Sequence, residues 1–296
     1  MELILHRFFL NNCKSKKIFN FLLKNHRIYI VYLSKLKKQQ IHMEQVLKKE
    51  GRYTYYEAGE GTPIVVLHGL MGGLSNFEST GAYFSKKGYK IIIPELPIYT
   101  QSLLRTNVKA FAKYVKDFIV FKGFDRVILM GNSLGGHIAL YHAKMYPEKM
   151  LGLVITGSSG LYENSMGDSY PRRGDYDYIQ RKAEAVFYDP KIATKEIVDE
   201  VFSMANDRMK LIKTLTIAKS AIRHNMAKDL PKMHVPTCII WGKNDSVTPP
   251  EVALEFNRLL PNSTLYWINK CGHAAMMERP NKFNKIMLEW LKKVDL

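Results

Sequence analysis

Apolar runs alternate along most of the chain with segments of helical periodicity. The runs are about five residues long and rich in β-branched or aromatic residues, as expected of strands in a buried sheet. Between them, apolar residues return every three or four positions, which predicts amphipathic helices. The predicted strands are 53–57, 63–67, 89–93, 126–130, 151–155, 237–241 and 264–268, and the predicted helices are 76–87, 108–122, 134–145, 251–260 and 282–293. This order predicts an α/β fold class, with a mostly parallel central sheet and helices on both faces.

One stretch interrupts the alternation. Residues 158–228 contain no clear buried strand. They begin with Gly, Ser, Asn, Pro and charged residues and continue with amphipathic helices around 176–187, 195–205 and 207–222. We interpret 158–227 as a helical cap inserted between two parts of one core, 43–157 and 228–296.

The first 42 residues differ from the rest in charge. They hold nine Lys or Arg and one acid, whereas the other 254 residues hold 35 Lys or Arg and 26 acids. Neither of their two short apolar runs approaches the ~20 residues that a spanning helix needs. We interpret 1–42 as a basic N-terminal extension outside the fold. Targeting or contact with a membrane surface through this segment is the alternative.

Composition narrows the classes of partner and compartment. The net charge of +17 is high, but about half of it lies in the first 42 residues, and no nucleic-acid motif accompanies it. We therefore expect a small-molecule substrate and no nucleic acid. The three cysteines form no C-x-x-C pair, which favours a reducing, cytoplasmic compartment and argues against a zinc site.

The motif with the clearest chemistry is Gly131-Asn132-Ser133-Leu134-Gly135. It matches G-x-S-x-G, it follows a predicted strand, and it precedes a predicted helix. That context is typical of a nucleophile elbow, a sharp turn that exposes a serine hydroxyl at the end of a strand. Ser133 is therefore the candidate nucleophile.

A serine needs a base and an acid, and both follow later strands. Asp245 comes after the strand that ends at Trp241, and His273 comes after the strand that ends near Ile268. The order Ser…Asp…His is the one expected of an elbow-type triad. His273 would take the serine proton, and Asp245 would fix the tautomer of the imidazole.

The loop that begins His68-Gly69-Leu70 supplies the remaining element of the predicted site. Backbone N–H groups of Leu70 and Leu134 are the candidates for the oxyanion hole. His68 is interpreted as a structural loop residue, because the triad already has its histidine. His137 and His142 on the helix after the elbow are attributed to packing, and Cys271 to a small buried position.

Together these motifs resemble the α/β-hydrolase superfamily from about residue 43 to residue 296. The resemblance is carried by His68-Gly69, the Ser133 elbow, Trp241-Gly242-x-x-Asp245 and Cys271-Gly272-His273. Within the superfamily, the chain looks most similar to the serine C–C bond hydrolases of aromatic ring-fission products and their esterase relatives. The residues that carry this resemblance are Asn132 in the elbow and the 270–274 motif, with Glu278 downstream. Two loops depart from that branch: Leu70-Met71-Gly72-Gly73 is poorer in Gly and Pro, and residues 94–102 replace a Gly-x-Gly-x-Ser loop.

The resulting prediction is a serine hydrolase that cleaves small to medium carboxylic esters through an acyl-enzyme, without metal or organic cofactor. C–C hydrolysis of a diketone acid and acyl transfer are alternatives within the same chemistry. A non-catalytic ligand-binding protein on the same fold is the alternative of another class. Arg172 and Arg173 are candidates to contact a substrate carboxylate, with solvated cap charges as the more common situation for arginine.

Overall fold

The computed structural model describes residues 47–162, 172 and 174–294. Its centre is an eight-stranded sheet with the order β1-β2-β4-β3-β5-β6-β7-β8. β1 and β2 are antiparallel to their neighbours, and the strands from β3 to β8 pair in parallel. The strands are β1 Lys48–Glu50, β2 Tyr53–Ala58, β3 Thr62–Leu67, β4 Tyr89–Pro94, β5 Val127–Asn132, β6 Met150–Thr156, β7 Thr237–Gly242 and β8 Ser263–Ile268.

Helices follow most of the parallel strands. They are α1 Glu78–Phe84, α2 Val108–Phe121, α3 Leu134–Met145, α4 Tyr176–Glu184, α5 Lys195–Asn206, α6 Arg208–Arg223, α7 Pro250–Leu259, α8 Ala275–Glu278 and α9 Pro280–Leu291. One face of the sheet, with Leu67, Leu129 and Trp241, packs in a single apolar cluster with residues of α2, α3 and α7. α9 contacts β7, β8 and α1, and Thr80 of α1 donates a 3.0 Å hydrogen bond to Asn284 of α9.

The predicted α/β class, with a mostly parallel sheet and helices, is confirmed. All seven predicted strands are present, with ends within two residues of the expected ones. β1 was not predicted, because its three residues are all exposed and carry no apolar signal. α8 was also not predicted, since four residues are too few to show a helical period. The predicted helix 76–87 instead begins as a 3-10 turn at Leu74–Phe77 and ends at Phe84.

Between β6 and β7 the chain forms α4, α5 and α6, as the amphipathic pattern predicts. Residues 163–171 and residue 173 of this insertion lie outside the described residues. The boundaries of the cap at 158 and 227 stay a prediction. The predicted N-terminal extension at 1–42 also lies outside them. Among the residues that are described, no helix is both long enough and apolar enough to cross a membrane.

Buried neutral histidines give the fold a predicted sensitivity to acid. Burial lowers the pKa of His142 to about 4, and its Nε2 has no hydrogen-bond partner among the described residues. An unfolded histidine titrates near 6.5, so between these values the unfolded chain binds one more proton at residue 142 than the folded chain does. The free energy of unfolding therefore falls as the pH falls from about 6.5 towards 4.

Urea titrations at pH 7 and pH 5 check this expectation. His142→Gln should reduce the loss of stability between the two pH values by about 2 kcal/mol, whatever it does to the absolute stability. His234→Gln is the matched control, because His234 is exposed, and it should keep the wild-type loss. An equal loss in His142→Gln and wild type would contradict the assignment.

Candidate active site

Ser133 occupies a strained turn between β5 and α3. Its backbone has φ 55° and ψ −121°, a region that non-glycine residues rarely adopt. Its N–H donates to the carbonyl of Thr156 on β6 at 3.1 Å, and its carbonyl accepts the His137 N–H of α3, also at 3.1 Å. The turn is thus fixed from both sides. The G-x-S-x-G motif forms the strand–turn–helix geometry that its sequence predicts.

The glycines of the motif are required by close backbone approach. A Cβ on Gly131 would lie 2.3 Å from backbone atoms of Gly135, and a Cβ on Gly135 would lie 2.1 Å from the carbonyl oxygen of Leu67. No side chain fits at such distances. The two glycines therefore let β5, α3 and β3 meet directly beneath Ser133.

Asp245 and His273 form a buried pair at the carboxyl ends of β7 and β8. His273 Nδ1 lies 2.9 Å from Oδ2 and 3.1 Å from Oδ1 of Asp245, and the two residues are only 7% and 3% exposed. The carboxylate accepts, so Nδ1 carries the proton and donates it. The other imidazole nitrogen, Nε2, is then left unprotonated in the neutral ring, as a general base requires.

The loop after β7 holds the Asp245 carboxylate in place. Oδ1 accepts the backbone N–H groups of Val247 and Thr248, each at 2.9 Å, and Oδ2 accepts the hydroxyl of Thr248 at 2.9 Å. Thr248 Oγ1 also lies 3.2 Å from His273 Nδ1. A buried carboxylate with this many donors is satisfied and cannot rotate freely, so the imidazole that it binds has a defined orientation.

The elbow and the histidine loop are joined by Asn132. Its side-chain amide donates to the carbonyl of His273 at 3.1 Å and to the carbonyl of Thr156 at 3.0 Å. A Cβ on Gly157, just after β6, would lie 2.8 Å from His273 Nδ1. Ser133, Asp245 and His273 are therefore assembled at one edge of the sheet, where the carboxyl ends of parallel strands meet.

The loop after β3 also approaches the serine. A Cβ on Gly69 would lie 3.3 Å from Cβ of Ser133. Leu70 follows in this loop and packs against the core, and Leu134 is buried at the start of α3. This is the arrangement in which their backbone N–H groups could meet an oxyanion above Ser133. The assignment of Leu70 and Leu134 to that role stays a prediction.

His68 and His137 have hydrogen-bond partners outside the Asp245–His273 pair. His68 donates from Nδ1 to the Gly69 carbonyl at 2.8 Å, and its Nε2 accepts the Leu96 N–H at 3.1 Å, so both ring nitrogens are occupied. His137 lies buried beneath the elbow, 2.9 Å from His224 and 3.3 Å from Ser159 Oγ. Burial lowers the pKa of His68, and burial together with His224 lowers the pKa of His137 to about 3.

Cys271 and Arg172 do not belong to the Asp245–His273 pair. Burial raises the pKa of the Cys271 thiol to about 12, which keeps it protonated and unreactive at neutral pH. Arg172 is exposed, and its contact with a substrate stays a prediction. Arg173 lies outside the described residues.

Three residues that shape the site were not singled out in the sequence for their part in it. Thr248 and Gly157 stand in loops without a motif, and their contacts with Asp245 and His273 exist only in the folded chain. Glu278 was noted only as part of the resemblance. One indication in the sequence that Glu278 belongs to the site is its position five residues after His273.

Gly157 offers a sharp test of how tightly His273 is held. Its φ is +51°, and an added Cβ would lie 2.8 Å from His273 Nδ1 and 3.0 Å from Cε1. Gly157→Ala should therefore displace the imidazole and lower any His273-dependent activity by roughly 100-fold. The comparison is made by steady-state kinetics on folded protein.

Gly123→Ala is the matched control for Gly157→Ala. Its φ is +70°, and nothing lies within 4 Å of an added Cβ. It should lose roughly 1–2 kcal/mol of stability from backbone strain and keep its activity. Equal activity in the two variants would show that the space around His273 is not critical.

Comparisons with known proteins agree with this geometry. A family model of the alpha/beta hydrolase fold matches residues 62–183 and 168–280. The chain is 60% identical to MGS-MChE2, an alpha/beta hydrolase enzyme from the metagenome of sediments from the lagoon of Mar Chica, Morocco. That match covers 84% of this chain and 99% of the solved chain, with a TM-score of 0.71.

Two curated relatives come from the branch named in the sequence analysis. A 2-hydroxy-6-oxononadienedioate/2-hydroxy-6-oxononatrienedioate hydrolase of Pseudomonas sp. is 28% identical over 255 residues, covering 79% of this chain and 90% of the relative. A 2-hydroxy-6-oxo-6-phenylhexa-2,4-dienoate hydrolase of Comamonas testosteroni is 24% identical over 259 residues, covering 80% and 90%. The chain is therefore a hydrolase that belongs to the α/β-hydrolase fold family.

Proposed function

We propose that the protein is a serine hydrolase in which Ser133 is the nucleophile, His273 the general base and Asp245 the carboxylate that orients His273. The observation that carries this proposal is the buried 2.9 Å pair of Asp245 and His273, joined through Asn132 to the strained Ser133 turn. A strained, glycine-flanked serine at the same sheet edge as a histidine with a fixed tautomer is suited to covalent catalysis.

In the proposed reaction the Ser133 hydroxyl attacks the carbonyl carbon of the substrate while its proton passes to His273 Nε2. The oxyanion that forms would be bound by the backbone N–H groups of Leu70 and Leu134. The leaving group departs with the proton from His273, which leaves an acyl-enzyme. Water then attacks the acyl carbon by the same route and regenerates Ser133.

The curated relatives favour one substrate class. Their names describe hydrolases of 2-hydroxy-6-oxo dienoic acids, so they support C–C bond cleavage better than the ester cleavage placed first in the sequence analysis. We therefore take a 2-hydroxy-6-oxo dienoic acid as the first candidate substrate. There the dienol first tautomerises to the 2,6-diketone, with the proton moving from the 2-hydroxyl group to C5. Attack of Ser133 on the C6 carbonyl then breaks the C5–C6 bond, and C5 departs as a dienolate that takes the proton from His273.

Carboxylic esters are the second candidate. The loop at 94–102 departs from the sequence pattern of the C–C hydrolases. Arg172, the candidate to bind a substrate carboxylate, is exposed rather than buried. Both substrate classes share the attack of Ser133 on a carbonyl carbon. They differ in the leaving group, which is an alcohol in one class and a carbon acid in the other.

Two measurements test the proposal. A fluorophosphonate probe should label wild-type protein and fail to label Ser133→Ala. Absence of labelling in correctly folded wild type would favour the non-catalytic alternative. Loss of the dienol absorbance of a 2-hydroxy-6-oxo dienoic acid is then compared with p-nitrophenol release from esters of graded acyl length. Turnover of the esters alone would overturn the C–C assignment.

A further inference from the structure

Glu278 carries a buried carboxylate next to the His273 loop. It ends α8 and is 5% exposed. Its oxygens accept three backbone N–H groups: Gly272 at 2.6 Å and Tyr188 at 3.2 Å on Oε2, and Asp189 at 2.8 Å on Oε1. Burying a carboxylate is unfavourable unless donors satisfy it, so this set of bonds is a built feature of the fold.

The three donors belong to two different parts of the chain. Gly272 directly precedes His273, whereas Tyr188 and Asp189 belong to the segment that follows α4 in the insertion. One carboxylate therefore holds the histidine loop and the insertion together. We call residues 186–189 the cap segment.

Direct contacts strengthen this junction. The N–H of His273 donates to the Val186 carbonyl at 2.8 Å, and a Cβ on Gly272 would lie 2.5 Å from the same oxygen. On its other side, the His273 carbonyl accepts the Asn132 amide at 3.1 Å. The backbone of His273 is thus fixed between the cap segment and the strand that carries the nucleophile.

We propose that Glu278 is a positioning residue that locks the cap segment to the His273 loop and thereby fixes the imidazole relative to Ser133. The proposal rests on the proposed function of Ser133 and His273. Glu278 acts through backbone N–H groups and touches none of the reacting atoms. Weakening its bonds should therefore lower the rate of the chemical step more than it weakens the binding of substrate, because small displacements of a catalytic group have large effects on rate.

The test is Glu278→Gln, which keeps the size of the side chain. A glutamine has one acceptor oxygen, so it retains at most two of the three bonds and turns an NH₂ group towards the third N–H. We expect kcat to fall by about 10- to 100-fold, with KM within about threefold of wild type, and labelling by the fluorophosphonate probe to slow in parallel. Glu289→Gln on the exposed surface of α9 is the matched control and should behave as wild type.

A second measurement reports the lock without catalysis. Amide hydrogen exchange at Gly272, Tyr188 and Asp189 should accelerate in Glu278→Gln, while exchange in the central strands stays unchanged. If this variant does not fold, Glu278→Asp draws the carboxylate back by one methylene and serves for the same measurements. Its kcat and exchange are expected to change in the same directions.

The outcomes separate this proposal from the proposed function. Absence of labelling in wild type overturns the function of Ser133, and the exchange experiment still tests the lock. Labelling and kcat within twofold of wild type in the folded variant overturn the positioning role of Glu278. Unchanged exchange at the three amides overturns the lock itself.

Discussion

Ser133→Ala is expected to abolish turnover, with kcat falling by roughly 10⁵- to 10⁶-fold, as for removal of the nucleophile in a serine protease. The substitution removes Ser133 Oγ, the proposed nucleophile, and it leaves His273, Asp245 and the proposed backbone donors in place. It also keeps a Cβ at the strained position, where φ is 55°. The alanine variant should therefore fold as wild type does, with a similar urea midpoint.

The measurement is the initial rate on whichever substrate class wild type cleaves, supported by the mass of the probe adduct. Ser203→Ala, at an exposed position on α5, is the matched control and should keep full activity. More than about 1% of wild-type activity in purified Ser133→Ala would show that the reaction does not pass through a Ser133 acyl-enzyme, since loss of a nucleophile costs far more than 100-fold.

Asp245→Asn should have the second largest effect, a loss of roughly 10⁴-fold in kcat, as for the corresponding change in a serine protease. In the wild-type protein, the Asp245 carboxylate accepts hydrogen bonds from His273 Nδ1, from two backbone N–H groups and from the Thr248 hydroxyl. An asparagine brings an NH₂ group into this set of donors. The arrangement that satisfies it places the proton of the imidazole on Nε2, where it blocks the removal of the serine proton.

Asp207→Asn is the control for this change. Asp207 is exposed and caps α6 by accepting the N–H groups of Met209 and Lys210, a role that asparagine performs about equally well. Its activity should equal that of wild type. A loss of less than about tenfold in Asp245→Asn would mean that Thr248, 3.2 Å from His273 Nδ1, can hold the tautomer without the carboxylate.

Much of the fold could be predicted because it depends on local periodicity. The buried strands of a parallel sheet show as continuous apolar runs, and the helices beside them as three- and four-residue spacing. The shortest elements, β1 and α8, were not predicted, because three or four residues are too few to show a strand or helix period. The antiparallel pairing of β1 and β2 was not predicted either. The direction of pairing depends on which strands become neighbours in the folded sheet.

The site divides in the same way. Ser133, Asp245 and His273 could be placed at one site from the sequence, because each follows a strand and strand ends gather at one edge of a parallel sheet. Their catalytic roles stay a proposal. The contacts that support these three residues could not be predicted from the sequence. Thr248 on Asp245, Gly157 beside His273 and Asn132 across to the His273 carbonyl join residues that are close only after the strands pair.

The sequence by itself determined the class of fold, the strand–turn–helix geometry around Ser133 and the order of the three catalytic candidates, because these depend on residue types at local spacings. The tertiary structure decided how His273 is held. Asp245 fixes its ring, Asn132 fixes its carbonyl, and Glu278 ties its loop to the cap segment 186–189. These contacts span up to 141 residues of sequence, and no local pattern encodes a hydrogen bond over that separation.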